Sequence, residues 1–115
     1  IEEEEEVIEE QEIFKIVEKM PTFPGGEEEL FKYLGKNIKY PAMARDAGIS
    51  GRVFVTFVVE KDGKITDVKV LRGIGGGCDE EAERVVKKMP AWKAGQQRGK
   101  PVRVQFNLPI FFNLK

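Results

Sequence analysis

Residues 52–60 read Arg-Val-Phe-Val-Thr-Phe-Val-Val-Glu, a run in which both alternation phases are apolar. Successive side chains of extended backbone point to opposite faces, so Val53, Val55, Phe57 and Val59 would share one face and Phe54, Thr56 and Val58 the other. β-Branched and aromatic residues suit such a pleated surface. A strand that is apolar on both faces needs cover on both, which predicts a central position in a sheet. Lys61-Asp62-Gly63-Lys64 follows with the Asp-Gly pair of a tight hairpin, and residues 65–72 form the return strand. Any fold of this chain must accommodate that hairpin.

Residues 102–108 alternate strictly, with Val102, Val104, Phe106 and Leu108 on a dry face and Arg103, Gln105 and Asn107 on a wet one. Pro109 has no N–H to give a ladder, which places this strand, or at least its far end, at the border of the sheet. Helical signals fill the rest of the chain. Glu27, Glu28 and Glu29 occupy a first turn, where carboxylates favour the positive end of the dipole, and Leu30, Tyr33 and Leu34 form the stripe behind them. Pro41 suits the start of a short second helix, with Gly48 as its left-handed stop. Residues 73–77 read as a loose glycine connector into a third helix, capped by Asp79 and carrying Ala82, Val85, Val86 and Met89 on one stripe. Residues 92–100 read as a long turn. The expected fold class is α+β: a small antiparallel three-stranded sheet with two or three helices packed on one face. Ile13, Phe14, Ile16 and Val17 form an apolar segment able to add an N-terminal strand.

Composition removes several classes of chemistry. The 115 residues include no histidine and one cysteine. A Ser-His-Asp or Cys-His nucleophile, an imidazole metal site, a thiolate zinc cluster and an internal disulfide therefore have no residues to build them. Neither an enzyme nor a cofactor or metal protein is expected. The formal charge of −1 divides unevenly along the chain. Residues 1–30 hold 12 acidic against 2 basic side chains, and residues 31–115 hold 8 against 17. Residues 1–12 are read as the end of a solvated acidic linker and residues 13–115 as the domain. The basic residues of the body are spread rather than clustered, so nucleic acid is not expected as a partner. No apolar run approaches the roughly 20 residues that a membrane helix needs. The chain begins with isoleucine and is read as a domain cut from a longer protein.

Local motifs point to structure more than to catalysis. The glycine loop lacks the third glycine of a dinucleotide fingerprint, where Cys78 stands, and Asp79, Glu80 and Glu81 oppose a phosphate. Those carboxylates also oppose a reactive Cys78 thiolate, so Cys78 reads as a small apolar residue under the helix start. Asp62 and Asp67 serve the hairpin, and Trp92 anchors the turn around it. The remaining feature is geometrical. A border strand leaves N–H and C=O groups without partners, and such an edge is either covered by the domain itself or used to capture an extended peptide.

Several segments together are similar to a known family. They are Tyr40-Pro41-Ala42 with Ala44, residues 48–55 (Gly-Ile-Ser-Gly-Arg-Val-Phe-Val), Asp62-Gly63-Lys64-Ile65 and Asp79-Glu80-Glu81-Ala82. Residues 89–95 (Met-Pro-Ala-Trp-Lys-Ala-Gly), Gly99-Lys100-Pro101-Val102 and residues 106–110 (Phe-Asn-Leu-Pro-Ile) complete the set. In this order and spacing, over about residues 17–112, they resemble the C-terminal domain of TonB energy transducers. The resemblance implies a periplasmic domain, anchored to the inner membrane through a missing N-terminal region that partners a motor complex. It implies a ligand as well, the TonB box, a short extended segment of an outer-membrane transporter that joins the sheet beside the last strand.

On that reading the backbone of Val102, Arg103, Val104, Gln105, Phe106, Asn107 and Leu108 holds the box, and the side chains of Arg103, Gln105 and Asn107 select it. The family's Gln-Pro-x-Tyr-Pro segment, close to the bound box, falls on residues 37–41. Tyr40 and Pro41 match there, Asn37 and Ile38 depart, and Asn37, Lys39, Tyr40 and Pro41 join the expected site. The segment around Ile13 could instead cover the edge or pair two copies in a homodimer. The alternative function is a ligand-binding sensor module of the same fold, fused to a membrane regulatory protein or peptidase.

Overall fold

The computed structural model describes residues 12–114. In chain order the elements are β1 (Ile13–Phe14), α1 (Glu27–Asn37), α2 (Ala42–Asp46), β2 (Gly51–Val59), β3 (Ile65–Arg72), α3 (Cys78–Lys87), β4 (Gly95–Gln97) and β5 (Lys100–Phe112). The sheet runs β1-β5-β2-β3, with β4 paired to β5. The fold is the expected α+β arrangement with an additional N-terminal strand. That strand is shorter than the apolar segment suggested. It covers Ile13 and Phe14 alone, parallel to Arg103 and Val104, while Ile16 is exposed and Val17 turns under to pack on Val102 and Val104. The acidic run of residues 2–6 lies outside the described residues.

β2 occupies the centre, antiparallel to β3 on one side and to β5 on the other. Val53, Val55, Phe57 and Val59 are fully buried, and Thr56 and Val58 are buried on the opposite face, as a doubly apolar run requires. The Asp-Gly turn forms as read, with Gly63 at φ 87° and the Asp62 carboxylate accepting from the Lys64 N–H at 3.0 Å. Trp92 is buried against Phe23, Phe57 and Phe106, with ring centroids 5.2–5.8 Å apart. It therefore seats the hairpin turn and the start of β4 on one aromatic cluster.

Two local readings change. Residues 92–100 are not simply a long turn: Gly95–Gln97 forms β4, a hairpin onto β5 through Arg98 and Gly99. Both turn residues have positive φ, 53° and 73°, as a primed two-residue turn demands. Arginine rarely holds the first of those positions, so the sequence carries no Asn-Gly signal there. Asp79 is not the cap of α3. Gly77 holds that place in the left-handed region, and the Asp79 carboxylate turns back to accept from the N–H groups of Ile74 (2.8 Å) and Gly75 (3.2 Å). The glycine connector is thereby pinned rather than loose. Among the described residues no helix is long and apolar enough to cross a membrane.

Candidate functional site at an open sheet edge

The two prolines of β5 determine which way its backbone faces. Pro109 stands opposite Phe54 and Pro101 opposite Gln96, each inside a ladder without a register shift in β5. A residue that cannot donate can occupy only the pairs whose N–H and C=O groups point away from the partner. The even positions of β5 therefore bond to β2 and β4, which lie on the same side, and the odd positions face outward. β1 covers that outer side at Arg103 and Val104. Beyond β1 the outward positions are Gln105, Asn107, Pro109 and Phe111, and no described strand lies against them on the outer side.

This corrects part of the sequence expectation. Arg103 and Val104 pair with β1 on the outer side, so these two do not belong to an unpaired edge, and Val102 pairs with Gly95 of β4 on the β2 side. The open stretch starts later than expected and runs further, to Phe111. The opposite border of the sheet looks different. β3 carries register irregularities against Phe54/Val55 and Thr56/Val58, with Asp67 at φ 50°. Such bulges twist an edge away from new partners. β5 is regular over nine consecutive pairs with β2, which leaves its outer edge free of bulges.

Side chains on the two faces of β5 divide as the alternation implies. Leu108, Ile110 and Phe112 are buried beneath the helices, and Phe106 packs on the same core. On the other face Arg103 donates to both Glu60 carboxylate oxygens, at 2.7 and 3.1 Å, and the Thr66 hydroxyl donates to Glu60 at 2.5 Å. The Arg103 guanidinium holds the Glu60 carboxyl below the usual carboxylate range. Gln105 donates to the Thr56 hydroxyl at 3.0 Å. Arg103 and Gln105 are thus engaged by neighbouring strands, whereas Asn107 is exposed. Of the three side chains expected to select a ligand, the structure leaves Asn107 turned to solvent.

Beside the open edge, α1 builds an apolar groove that sequence reading missed. One cavity of about 340 Å³ is bounded by Phe23, Leu30, Phe31, Trp92, Leu108 and Pro109. A second, of about 470 Å³, lies further along between Leu34, Tyr40 and residues 109–113. Phe31 and Phe111 line both, and they remain 53% and 51% exposed. The available signal was Phe31, a large apolar side chain adjacent to the Leu30, Tyr33 and Leu34 stripe of α1.

The segment at residues 37–41 is held mainly by the protein itself. The Asn37 side chain donates to the Tyr33 carbonyl at 2.8 Å, and the Asn37 backbone carbonyl accepts from Arg84 at 3.0 Å. The Lys39 N–H donates to Glu81 at 2.6 Å, and Arg84 foremost, with this N–H beside it, keeps that carboxyl below its ordinary range. The Tyr40 hydroxyl donates to the Ile49 carbonyl while its ring meets Phe112 edge-on at 5.7 Å, and burial pushes its phenol up. Ile38 and Tyr40 line the second cavity; Asn37, Lys39 and Pro41 do not. Cys78 is fully buried, and burial together with Asp79 and Glu80 pushes its thiol up.

Comparisons with known proteins agree on one family. The family described as Gram-negative bacterial TonB protein C-terminal matches residues 36–114. The Helicobacter pylori (strain J99 / ATCC 700824) protein named Protein TonB is 47% identical over 34 residues, which are 30% of this chain and 12% of that protein. The solution structure of Helicobacter pylori TonB-CTD aligns at TM-score 0.58 and 28% identity, covering 76% of this chain and 92% of that one. That of Pseudomonas aeruginosa TonB CTD aligns at 0.52 and 32%, covering 67% and 78%.

Proposed function

The chain belongs to the family of Gram-negative TonB protein C-terminal domains, and from that premise we propose that the outer edge of β5 captures an extended segment of an outer-membrane transporter by strand addition. The observation that carries this reading is the unbulged run of outward positions at Gln105, Asn107, Pro109 and Phe111, bordered by an apolar groove. Backbone hydrogen bonds to an added strand supply affinity that is independent of the ligand's side chains, and pockets beside it supply selection. The bound segment is the TonB box, and the domain is an adaptor that passes a pull rather than an enzyme. The pull originates in an inner-membrane motor complex that engages the anchored region upstream of this domain in the periplasm. A micromolar complex requires about 8 kcal/mol, which allows release after each cycle.

Titration with transporter N-terminal peptides tests the proposal. Asn107→Pro removes an outward N–H while leaving the even positions of β5 bonded to β2, as Pro109 already does two residues on. It should weaken binding by about tenfold or more, and Asn107→Ala, which keeps the backbone donor, should retain most of it. Equal affinities for the wild type and Asn107→Pro would move the site away from this edge.

A further inference from the structure

Basic residues that are spread along the sequence meet on one surface of the fold, the sheet face turned away from the helices. Side chains directly opposite one another on neighbouring antiparallel strands share a face. Arg52 stands opposite Phe111, Phe54 opposite Pro109 and Arg72, and Thr56 opposite Lys69. Val53 and Val55 are buried on the helix side, so Arg52, Phe54 and their partners look the other way. A β-bulge brings one more residue to this face. β3 passes from Arg72 to Val70 while β2 passes from Phe54 to Val55, so Leu71 and Arg72 oppose Phe54 together.

The two ends of this face differ in charge. At one end Arg103 is neutralised by Glu60, and Asp67 adds a second negative charge that acts on it. At the other end Arg52, Lys69 and Arg72 are exposed, and their side chains form no hydrogen bond or ion pair with any of the described residues. The Arg52 guanidinium lies over the rings of Phe54 and Phe111, 6.0 and 5.6 Å from their centroids. Phe111 on β5 and Leu71 on β3 flank it and stay 51% and 57% exposed.

We propose that the basic end of this sheet face is a peripheral docking surface for an anionic lipid bilayer, with Arg52, Lys69 and Arg72 meeting the phosphate headgroups and Phe111 and Leu71 entering the acyl boundary. The inference is independent of strand addition. Cations bordered in one plane by exposed apolar side chains match that boundary, where headgroup charge and hydrocarbon adjoin. A nucleic acid or a sugar polymer would stack on the rings, and Arg52 already occupies the place over both. The chain carries a net charge of −1, so attraction to an anionic surface has to come from this face and not from the molecule as a whole. A domain resting on it holds the outer edge of β5 along the membrane plane, with the helices on the far side.

Co-sedimentation of the whole chain with lipid vesicles tests it, using vesicles of phosphatidylcholine alone and of phosphatidylcholine mixed with phosphatidylglycerol. The mixed vesicles should bind about tenfold more tightly or better. Arg72→Glu and Lys69→Glu, each at an exposed position, should weaken that binding about tenfold, and Leu71→Ser about threefold. Lys36→Glu on α1 changes the net charge by the same amount on the helix side and should leave binding within about twofold of wild type. Circular dichroism identical to wild type establishes that each variant is folded. Equal binding to the two kinds of vesicle, or an equal loss in Lys36→Glu and in the two sheet variants, overturns the proposal. Tighter binding to soluble polyglutamate than to the mixed vesicles, unaffected by Leu71→Ser, overturns it as well, since the partner is then an acidic chain.

Discussion

The backbone N–H of Trp92 donates to the Gly63 carbonyl at 2.8 Å, and a Cβ added to Gly63 would stand 1.9 Å from the Trp92 carbonyl oxygen. The tip of the β2–β3 hairpin and the entry to β4 therefore share a contact that leaves no room for a side chain. Gly63 is required twice, for its φ of 87° and for this approach. Gly63→Ala should destabilise the domain by about 2 kcal/mol or more, since left-handed strain and a backbone clash act together. Urea unfolding followed by Trp92 fluorescence measures it, and a midpoint equal to wild type would contradict the packing described.

The Glu60–Arg103 pair predicts a pH dependence. The carboxyl of Glu60 is lowered first by the hydrogen bond from Arg103, and Glu81 is lowered first by that from Arg84. A carboxyl whose folded pKa lies below its unfolded value contributes stability above the unfolded pKa, about 4.3, and that contribution disappears as pH falls through the folded value. The domain should be more stable at pH 7 than at pH 3. Glu60→Gln should cost about 1–2 kcal/mol at pH 7 and reduce the difference between the two pH values, with Glu81 sustaining the remainder. A pH profile unchanged by Glu60→Gln would exclude the pair as its source.

Hydrogen exchange distinguishes the two sides of β5 directly. The amides of Phe106, Leu108, Ile110 and Phe112 face β2 and should exchange slowly, while those of Asn107 and Phe111 face outward and should exchange fast. Adding a transporter peptide should slow Asn107 and Phe111 and leave the even positions little changed. Uniform slowing along the strand would indicate general stabilisation instead of a new ladder.

The central hairpin was legible because one local pattern, apolar on both faces and closed by Asp-Gly, specifies it without help from the rest of the chain. The border position of β5 was half legible. Pro109 showed that an edge must exist, but its extent depends on contacts distant in sequence. β1 covers Arg103 and Val104 from about ninety residues away, and β4 bonds Val102 through an Arg98-Gly99 turn with no strong local signal. Asp79 shows the same limit at short range. An aspartate near a helix start reads as a cap, and only the course of residues 73–77 reveals that it binds the loop. The groove was not legible, since Phe31 gains its meaning from lining the same cavities as Phe111, which only the tertiary fold brings about.

β1 adjoins the open stretch, which makes it a register stop for anything added to β5. Its hold is small: two paired residues, with Val17 packed against Val102 and Val104 and Phe14 against the same cluster. Phe14→Pro removes a backbone donor from this short ladder and most of the ring contact, while the main core around Phe57 and Trp92 is untouched. Global stability should fall by about 1 kcal/mol, and the amide of Arg103 should lose protection from exchange. A peptide long enough to reach past Gln105 should then bind more tightly than to the wild type, because it no longer competes with β1 for the outward groups of Arg103. A peptide confined to the stretch beyond Gln105 should bind as before. Equal gains for both lengths would show that β1 acts on the groove as a whole rather than as a stop at one end of the edge.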